Sequence, residues 1–391
     1  MLKQDLLYGD QPVFTAFDTV TPETPLEQLN LNWREADLPQ RLRTKHVHGL
    51  HPYLGKFVPQ LAEIFLRKYA RRAVVDPFVG SGTTLVEANA LGLVACGADV
   101  SAFNCLLSRV KTQRYDLARL REELEDVLVR LHGALAEGAR PASGEPPPDS
   151  YLTTWYAPEA RRQLLLYRQL MAGYRYRDVM QVILSRAARS ARLTTHFELD
   201  FPRRPQVGPY YCRKHHRICR PPEQALPFLQ RYTADTLARI EAFDRLRTDA
   251  PVEVMWGDAR TLRFPPCDTV ITSPPYPGLI DYHEQHRYAY ELLGLPEKRE
   301  AELGSPARGV GQAAVQAYYQ GVEQVFRNVL ASLEPGGHVV VVVHDRLRLY
   351  ERMADALGLQ VVAVLERHVN RRTGRRSDEF FEQVYVWRKV S

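Results

Sequence analysis

A glycine-rich segment between two runs of regular pattern limits the folds that are open to this chain. The segment FVGSGTT (78–84) follows the apolar run AVVD (73–76) and precedes LVEANALG (85–92), which has helical character and closes on a glycine. A second apolar run, LVACGAD (93–99), comes next and ends in an acid. This succession predicts a β–turn–α–β unit, the building block of a parallel sheet.

Five more strand-like runs occur far along the chain, at residues 252–256, 268–272, 338–343, 359–365 and 382–387. A helical stretch (312–332) lies among them, and residues 151–245 are mostly helical with an irregular interruption at 200–222. With the first two runs this makes seven strands. We therefore predict an α/β fold: a Rossmann-like, doubly wound seven-stranded sheet with a mostly helical insertion.

The segment ARPASGEPPPDS (139–150) is rich in Pro, Gly and Ser, as expected of a linker or long loop, and it marks the start of the insertion. We predict four parts in the chain. They are an N-terminal extension of unassigned role (1–45), the first part of the α/β domain (46–138), the inserted helical region (139–248) and the second part of the α/β domain (249–391).

The residue types of the glycine-rich segment admit several ligands. Glycines let the backbone turn sharply, and the N–H groups that start the next helix point at whatever lies above the turn. A phosphate-binding P-loop requires a lysine before the Ser/Thr, but Thr83 follows Gly82 directly. A dinucleotide-binding motif requires a third glycine where Leu85 stands. A tight turn without any ligand is a further alternative.

The most specific motif is the tetrapeptide Ser273-Pro274-Pro275-Tyr276, which directly follows the strand-like run 268–272. Proline stiffens the backbone and lacks an N–H, so carbonyl acceptors face a ligand, and Tyr276 offers a flat ring on which a base can stack. Alone, the tetrapeptide is also compatible with a polyproline turn that carries no chemistry. Its occurrence with the glycine-rich turn on one sheet favours a catalytic site.

Together the two motifs resemble those of the amino-methyltransferases of DNA, which methylate N4 of cytosine or N6 of adenine. The glycine-rich motif is similar to the family's cofactor motif, and the tetrapeptide to its (Asp/Asn/Ser)-Pro-Pro-(Tyr/Phe) element; the resemblance covers about residues 50–110 and 250–390. It implies the family's methyltransferase fold with S-adenosylmethionine as cofactor. The cofactor-binding residues that it implies are Lys56, Asp76, Phe78, Gly80, Gly82, Thr83, Thr84, Asp99 and Asp258, and the catalytic ones are Ser273, Pro274, Pro275 and Tyr276.

Some of these cofactor residues have alternative interpretations. Asp99 ends the second strand, where a carboxylate accepts both ribose hydroxyls, but it or Ser101 also suits the cap of the next helix. Asp258 lies where the family places an acid on the adenine amino group, and a plain turn acid is the alternative. Lys56, in HPYLGKFVP (51–59), meets a carboxylate or is a solvated lysine at a helix start.

The resemblance also implies a mechanism. An exocyclic amine is a weak nucleophile because its lone pair is delocalised into the ring. Hydrogen bonds from the amine to the Ser273 side chain and the Pro274 carbonyl localise that lone pair, and the methyl group passes in line from sulfur to nitrogen. A base within a duplex has to be flipped out to be reached. Serine at the first position resembles the cytosine-N4 branch, and aspartate or asparagine the adenine-N6 branch.

Double-stranded DNA is therefore the expected partner, and a cognate restriction endonuclease of a restriction-modification system is a second candidate. The order of the motifs resembles the family's α-type arrangement, which assigns target recognition to the insertion. We expect two basic groups to contact phosphates, with a solvated basic loop as the alternative. They are Arg203, Arg204, Arg213, Lys214, Arg217 and Arg220 in the insertion, and Arg371, Arg372, Arg375 and Arg376 between the last two strands.

Three rival functions share these motifs or this fold: an adenine-N6 methyltransferase, an RNA amino-methyltransferase and a non-catalytic DNA-binding protein. The net charge of +6 permits an anionic partner without requiring one. No apolar run approaches the ~20 residues needed to cross a bilayer. The N-terminus also lacks a signal-peptide core. We therefore expect a cytoplasmic, prokaryotic-type protein that acts at the nucleoid and has no membrane partner.

The cysteines argue against a disulfide framework, because they are five in number and scattered through the chain. Cys212, His215, His216 and Cys219 are close enough in sequence to suggest zinc. Structural zinc normally takes two separated ligand pairs, and here all four residues fall within eight positions. We therefore predict no metal site.

Overall fold

The structure is a computed structural model that describes residues 15–199, 202–278, 281–305, 309, 311–369 and 380–390. The strands are β1 (Ala73–Asp76), β2 (Val94–Asp99), β3 (Tyr210–Cys212), β4 (Arg217–Cys219), β5 (Val252–Trp256), β6 (Cys267–Thr272), β7 (Leu333–Val343), β8 (Leu359–His368) and β9 (Phe381–Lys389).

The α-helices are α1 (Gln40–Arg43), α2 (Pro59–Tyr69), α3 (Thr83–Ala90), α4 (Ala102–Thr112), α5 (Leu117–Ala136), α6 (Tyr151–Trp155), α7 (Pro158–Leu170), α8 (Arg177–Ala191), α9 (Leu226–Asp244), α10 (Tyr282–Gln285), α11 (Arg287–Leu293), α12 (Gln312–Leu330) and α13 (Leu349–Ala356). Short 3-10 turns lie at Phe17–Thr19, Leu26–Gln28, His46–Gly49, Met171–Gly173 and Arg299–Ala301.

Seven strands form one sheet in the order β5-β2-β1-β6-β7-β9-β8. The first five in that order run parallel, and β9 lies antiparallel to both β7 and β8. Each of the seven strand-like runs predicted from the sequence corresponds to one of these strands, so the α/β prediction is confirmed. The chain moves outward in one direction from β1 and in the other from β6. In open α/β sheets a ligand binds above such a switch point, at the carboxyl ends of the strands.

Both faces of the sheet are covered by helices, which explains the continuous apolar character of the central strands. All six residues of β6 are buried, as expected of a parallel strand between two helical layers. Helices α2 and α3 pack on one face, with Phe65 and Leu85 among the buried residues. Helix α12 packs on the other face through Val322 and Phe326.

The chain between β2 and β5 forms a separate helical core. In α5 the buried residues Leu120, Leu124, Val127 and Leu131 recur at helical spacing and pack with buried residues of α7, α8 and α9. Helix α5 ends before the predicted start of the insertion at 139, yet its apolar face belongs to the core of the inserted helices.

Three features were not predicted from the sequence. The irregular stretch 200–222 contains the antiparallel hairpin β3–β4, the short helices α10 and α11 follow the tetrapeptide, and α13 lies between β7 and β8. Each of these elements is eight residues or shorter, too short for a clear apolar period. No helix among the described residues is long and apolar enough to cross a membrane.

Candidate active site

The glycine-rich turn connects β1 to α3 at the switch point and requires glycine at two positions. Gly80 and Gly82 have φ values of +48° and +79°, in the left-handed region that glycine favours. A Cβ at Gly82 would lie 2.9 Å from the Ser108 hydroxyl oxygen, and one at Gly80 would lie 3.1 Å from the Tyr53 hydroxyl oxygen. The turn is therefore packed closely against α4 and against the segment before α2.

Two side chains of α4 hold the carbonyl groups of this turn. The Ser108 hydroxyl donates to the Gly80 carbonyl at 3.0 Å, and the Lys111 ammonium donates to the Ser81 carbonyl at 2.6 Å. Lys111 is almost fully buried, and burial lowers the pKa of its ammonium well below the usual value. Neither residue was predicted from the sequence, because both stand on a helix with no motif of its own.

Asp99 connects the turn to the start of α4. One carboxylate oxygen accepts from the Gly80 N–H at 2.9 Å and from the Asn104 amide at 3.1 Å, and the other accepts from the Ser101 N–H at 2.8 Å. Burial raises the pKa of Asp99 to about 6, although these hydrogen bonds act to lower it. Ser101 caps α4 through its own hydroxyl, so the capping alternative holds for Ser101 while Asp99 lines the cleft.

Asp76 and Thr84 lie beneath the turn rather than in the cleft. The Thr272 hydroxyl donates to the Asp76 carboxylate at 2.6 Å, and the Phe78 N–H donates to the same oxygen at 3.1 Å. The Thr84 hydroxyl donates to the Ile271 carbonyl at 3.3 Å. Burial raises the pKa of Asp76 to about 6. These two predicted cofactor residues therefore support the turn from the sheet below it.

A cleft of about 830 Å³, a volume that includes its mouth open to solvent, lies above the turn. The predicted residues that line it are Lys56, Phe78, Gly80, Thr83, Asp99, Asp258, Ser273 and Pro275. Of the predicted residues, Asp76, Gly82, Thr84, Pro274 and Tyr276 do not line it.

Lys56 and Asp258 are already engaged by protein groups. The Lys56 ammonium donates to the His48 carbonyl at 2.8 Å. Both oxygens of Asp258 accept from the Arg260 guanidinium, at 3.0 and 2.6 Å. Burial acts to raise the pKa of Asp258, but the hydrogen bonds and charge of Arg260 outweigh it and the pKa is lowered. Asp258 therefore remains a carboxylate in the cleft at neutral pH.

The tetrapeptide leaves the end of β6 beside this cleft. The Tyr318 hydroxyl donates to the Pro275 carbonyl at 2.8 Å and in turn accepts from the Tyr350 hydroxyl at 2.6 Å. Within the described part of the chain, the Pro274 carbonyl has no hydrogen-bond partner. The Tyr276 hydroxyl donates to Glu382 at 3.2 Å. The backbone of the motif is thus fixed by α12 and α13.

The segment after the tetrapeptide adds lining residues that no motif indicated. Glu302 is buried and accepts from the Tyr282 N–H at 3.0 Å and from a ring nitrogen of His283 at 2.7 Å. The ring of Tyr282 stacks on that of Tyr53, with centroids 5.7 Å apart. The sequence gives little indication of these residues, because single Tyr, His and Glu residues form no motif and are common on protein surfaces.

The donors and charges of the cleft fit S-adenosylmethionine. Three carboxyl groups, those of Asp99, Asp258 and Glu302, line it against the single lysine Lys56. A sulfonium cation is favoured near such acids, and an acid at the end of β2, as Asp99 is, could hold a ribose hydroxyl. Tyr53 and Phe78 supply flat apolar surface for a purine.

A second cavity lies next to the tetrapeptide. Pro277, Gly278, Gly304 and Tyr318 are among its lining residues, and Leu303 lines both this cavity and the cleft. The Gly278 N–H donates a hydrogen bond to the Gly304 carbonyl at 2.8 Å. The segment after the tetrapeptide and the segment after Glu302 therefore form one wall of this cavity.

The structure describes one of the two predicted groups of basic residues and not the other. Those of the insertion are all exposed and form no ion pair with any described residue: Arg203, Arg204, Arg213, Lys214, Arg217 and Arg220. The others, Arg371, Arg372, Arg375 and Arg376, lie outside the described residues.

Comparisons with known proteins show a close relationship to one class of enzyme. No protein-family model matches the chain. It is 34% identical to the type II methyltransferase M.MjaII of Methanocaldococcus jannaschii over 430 aligned positions, which cover 89% of this chain and 81% of that protein. It is also 34% identical to the type II methyltransferase M.MvaI of Kocuria varians, over 85 residues that cover 20% of this chain and 19% of that one.

Solved structures overlap with this chain more loosely. TrmN from Thermus thermophilus matches with a TM-score of 0.34 and 14% identity, covering 86% of this chain and 50% of its own. The rRNA methyltransferase aviRa from Streptomyces viridochromogenes matches with a TM-score of 0.34 and 13% identity, covering 87% of this chain and 88% of its own. Overlaps at this level carry no information on the substrate.

Proposed function

The chain belongs to the type II methyltransferases, and on that basis we propose that it is a site-specific DNA methyltransferase acting on N4 of cytosine. The methyl donor is S-adenosylmethionine. The observation that carries the proposal is the convergence of two motifs on one cleft. Gly80 and Asp99 from the cofactor motif line the same cleft as Ser273 and Pro275, although almost 200 residues separate the motifs in sequence.

The cofactor site follows from the lining residues. Beside its three donors, Asp99 keeps about one acceptor position for a ribose hydroxyl, on the oxygen that accepts from the Ser101 N–H. We assign Asp258 to the adenine amino group and Lys56 to the methionine carboxylate, as the family resemblance implies, and both residues line the cleft. Asp76, Gly82 and Thr84 act indirectly, by holding the turn in the shape that lets the cofactor approach its backbone.

The tetrapeptide positions the target amine. The Pro275 carbonyl is occupied by Tyr318, whereas the buried Pro274 carbonyl has no partner among the described residues. We infer that it accepts from the amine when the target base is bound, although Pro274 does not line the cleft here. With the Ser273 hydroxyl it provides two acceptors on one side of the nitrogen, which localise the lone pair for attack. When bound, S-adenosylmethionine would supply the methyl group to this nitrogen while its sulfur keeps the electron pair of the broken bond, and the surplus amine proton would leave to solvent.

The target base and its surroundings follow from the neighbouring features. Serine at position 273 favours the cytosine-N4 branch, as the resemblance implies. A flipped base needs room beside Tyr276, and the second cavity begins at Pro277, the next residue. The six exposed basic residues of the insertion supply phosphate contacts, which position a duplex without reading its sequence.

The experiment is product analysis. The purified protein is incubated with labelled S-adenosylmethionine and mixed-sequence duplex DNA, the DNA is digested, and the labelled nucleoside is identified by mass. We expect N4-methylcytosine. The matched control is Ser273→Ala, for which we expect transfer to fall by about 100-fold or more, as when one aimed hydrogen-bonding group is lost from an active site. Cofactor affinity is expected to stay within twofold of the wild type.

Other outcomes would separate the parts of the proposal. Label on N6-methyladenine would retain the mechanism and overturn the role of Ser273 in base choice. Label on RNA but not on DNA would overturn the substrate. An equal loss of transfer and cofactor binding in Ser273→Ala would overturn the role of this side chain in catalysis.

A further inference from the structure

The hairpin β3–β4 brings together two cysteines and two histidines, outside the cleft. Cys212 ends β3, Cys219 ends β4 and His215 lies in the turn between them, while His196 comes from the segment after α8. One ligand atom from each of these four side chains lies within 4.8 Å of the others. We propose that the four side chains bind one Zn²⁺ ion that holds the hairpin to the inserted domain.

The distances suit a tetrahedral site. The Cys212 Sγ lies 3.6 Å from the His196 Nδ1, and the Cys219 Sγ lies 3.5 Å from the His215 Nδ1. Zinc bonds of about 2.3 Å to sulfur and about 2.0 Å to nitrogen place neighbouring tetrahedral ligands roughly 3.5 Å apart. These two thiol–imidazole pairs therefore stand at the separation that a central zinc ion requires, and the other pairs lie within 4.8 Å.

The burial pattern of the hairpin explains why it needs a metal. Cys212 and Cys219 are 3% and 9% exposed, whereas the apolar side chains of Tyr211 and Ile218 are 61% and 64% exposed. Each strand has three residues. A hairpin this short is not stable in water by itself, and its inner face carries thiols instead of an apolar core. A bound metal ion commonly stabilises a small element that lacks an apolar core.

The ligand set selects the ion and its role. Two thiolates and two imidazoles are the donors of structural zinc, and four protein ligands leave no open position for a substrate. Two thiolates neutralise the charge of Zn²⁺, so the site adds no positive charge to its basic neighbourhood. The site is accordingly structural.

The proposed site differs from the one weighed in the sequence at the fourth ligand. The set weighed in the sequence lay within eight positions and included His216, whereas the structure supplies His196, sixteen residues before Cys212. His216 has a φ of +52° in the turn and does not belong to the cluster. The ligands therefore form two separated groups after all: His196 alone, and Cys212, His215 and Cys219 together.

The proposed metal would also fix the position of basic residues. Arg213, Lys214 and Arg217 stand between the two cysteines, and Arg220 follows the second. A metal at the hairpin would hold these charges at a set spacing, which bears on DNA binding only if the proposed function is correct. Zinc binding itself does not depend on that function.

The test is metal content, measured by mass spectrometry on full-length protein purified with zinc in the medium and then dialysed. We expect about one zinc per chain, in keeping with four ligands. Cys212→Ser and Cys219→Ser should lose most of it. His216→Ala, which changes a residue in the same turn outside the cluster, should keep it.

A second measurement needs no variant. The wild-type protein, stripped of metal and titrated with Co²⁺, should show the intense visible absorption of tetrahedral cobalt together with a thiolate charge-transfer band. Absence of retained zinc and of this spectrum would overturn the proposal, as would a Cys212–Cys219 disulfide in freshly purified protein. Both readouts are independent of methyl transfer, so failure here is distinguishable from failure of the proposed function.

Discussion

The hydroxyl of Thr272 donates a 2.6 Å hydrogen bond to the carboxylate of Asp76, between the carboxyl ends of the two central strands. The same carboxylate oxygen accepts from the N–H of Phe78 in the glycine-rich turn, and Thr272 directly precedes Ser273. One buried carboxyl group therefore couples the cofactor turn to the residue that begins the tetrapeptide.

We expect Thr272→Val, which removes this donor at nearly constant volume, to destabilise the protein by about 1–3 kcal/mol. It should also slow methyl transfer, because residue 272, next to Ser273, is no longer held to Asp76 by a hydrogen bond. The control is Thr269→Val in the same strand, whose hydroxyl bonds to the Tyr69 carbonyl instead. That variant should lose stability in denaturant unfolding but keep its transfer rate; an equal loss of rate in both would refute the coupling.

The same substitution should have a pH signature. The pKa of Asp76 is raised by burial from 3.8 to about 6, so the folded state holds this proton more tightly than the unfolded state. The stability from this group is fully present below the unfolded pKa and is lost as the pH rises through about 6. Without the Thr272 donor the folded pKa rises further. The deficit of Thr272→Val in unfolding free energy should therefore be larger at pH 7.5 than at pH 5.

Cofactor affinity should depend on the protonation of Asp99. Its pKa is raised to about 6, mainly by burial, and hydrogen bonds to a carboxylate are roughly twice as strong as those to a neutral acceptor. Binding of S-adenosylmethionine, measured by calorimetry, should therefore weaken as the pH falls through 6. Asp99→Asn should bind weakly with no such pH dependence. An unchanged slope in that variant would assign the titration to another group.

Two glycines provide a matched pair for the turn. Gly82 and Gly92 have nearly the same φ, +79° and +76°, but a Cβ at Gly92 meets nothing within 4 Å. Gly92→Ala should cost only the left-handed strain of about 1–2 kcal/mol. Gly82→Ala should cost more in unfolding free energy and should also weaken cofactor binding, because the Cβ meets Ser108. Equal effects of the two variants would show that steric contact is unimportant there.

The support of the tetrapeptide by α12 can be tested with neighbouring tyrosines. Tyr318→Phe removes the donor to the Pro275 carbonyl and should lower kcat by roughly tenfold, in line with about 1.4 kcal/mol for a positioning hydrogen bond. Cofactor affinity should not change. Tyr319→Phe is the control, because the hydroxyl of Tyr319 has no hydrogen bond to any described residue. A rate loss in Tyr319→Phe of equal size would contradict the assignment.

The exposed arginines should affect DNA binding through salt dependence. Each phosphate contact that is lost reduces the slope of log affinity against log salt by about 0.9. Replacing Arg203 and Arg204 by alanine should therefore weaken binding and flatten this slope, with cofactor affinity unchanged. Arg352→Ala, an exposed arginine on α13, removes one of the same charges and should leave the slope as it is. If the slope of log affinity against log salt in the double variant equals that of the wild type, Arg203 and Arg204 do not contact phosphates.

Much of the fold could be predicted because its signals are local. The apolar run of β6 and the turn between β1 and α3 are encoded within a few residues, since a buried parallel strand needs continuous apolar side chains and a left-handed turn needs glycine. The motif residues Asp99 and Ser273 line one cleft as the two motifs suggested. The hairpin β3–β4 was missed because its strands have three residues each, too few for an apolar pattern.

The strands of the seven-stranded sheet, the glycine-rich turn and the tetrapeptide were recognisable from the sequence alone, because backbone preference and apolar patterning act over short distances. Only the folded chain brings Asp76 to Thr272, 196 positions away. The same holds for Lys111, which supports the turn, and for His196, which completes the cysteine–histidine cluster. Such contacts depend on how the helices and strands pack. The sequence around each of these residues does not indicate which distant residue it contacts. The physical reason is that burial, which makes these polar contacts strong, exists only once the whole chain has folded.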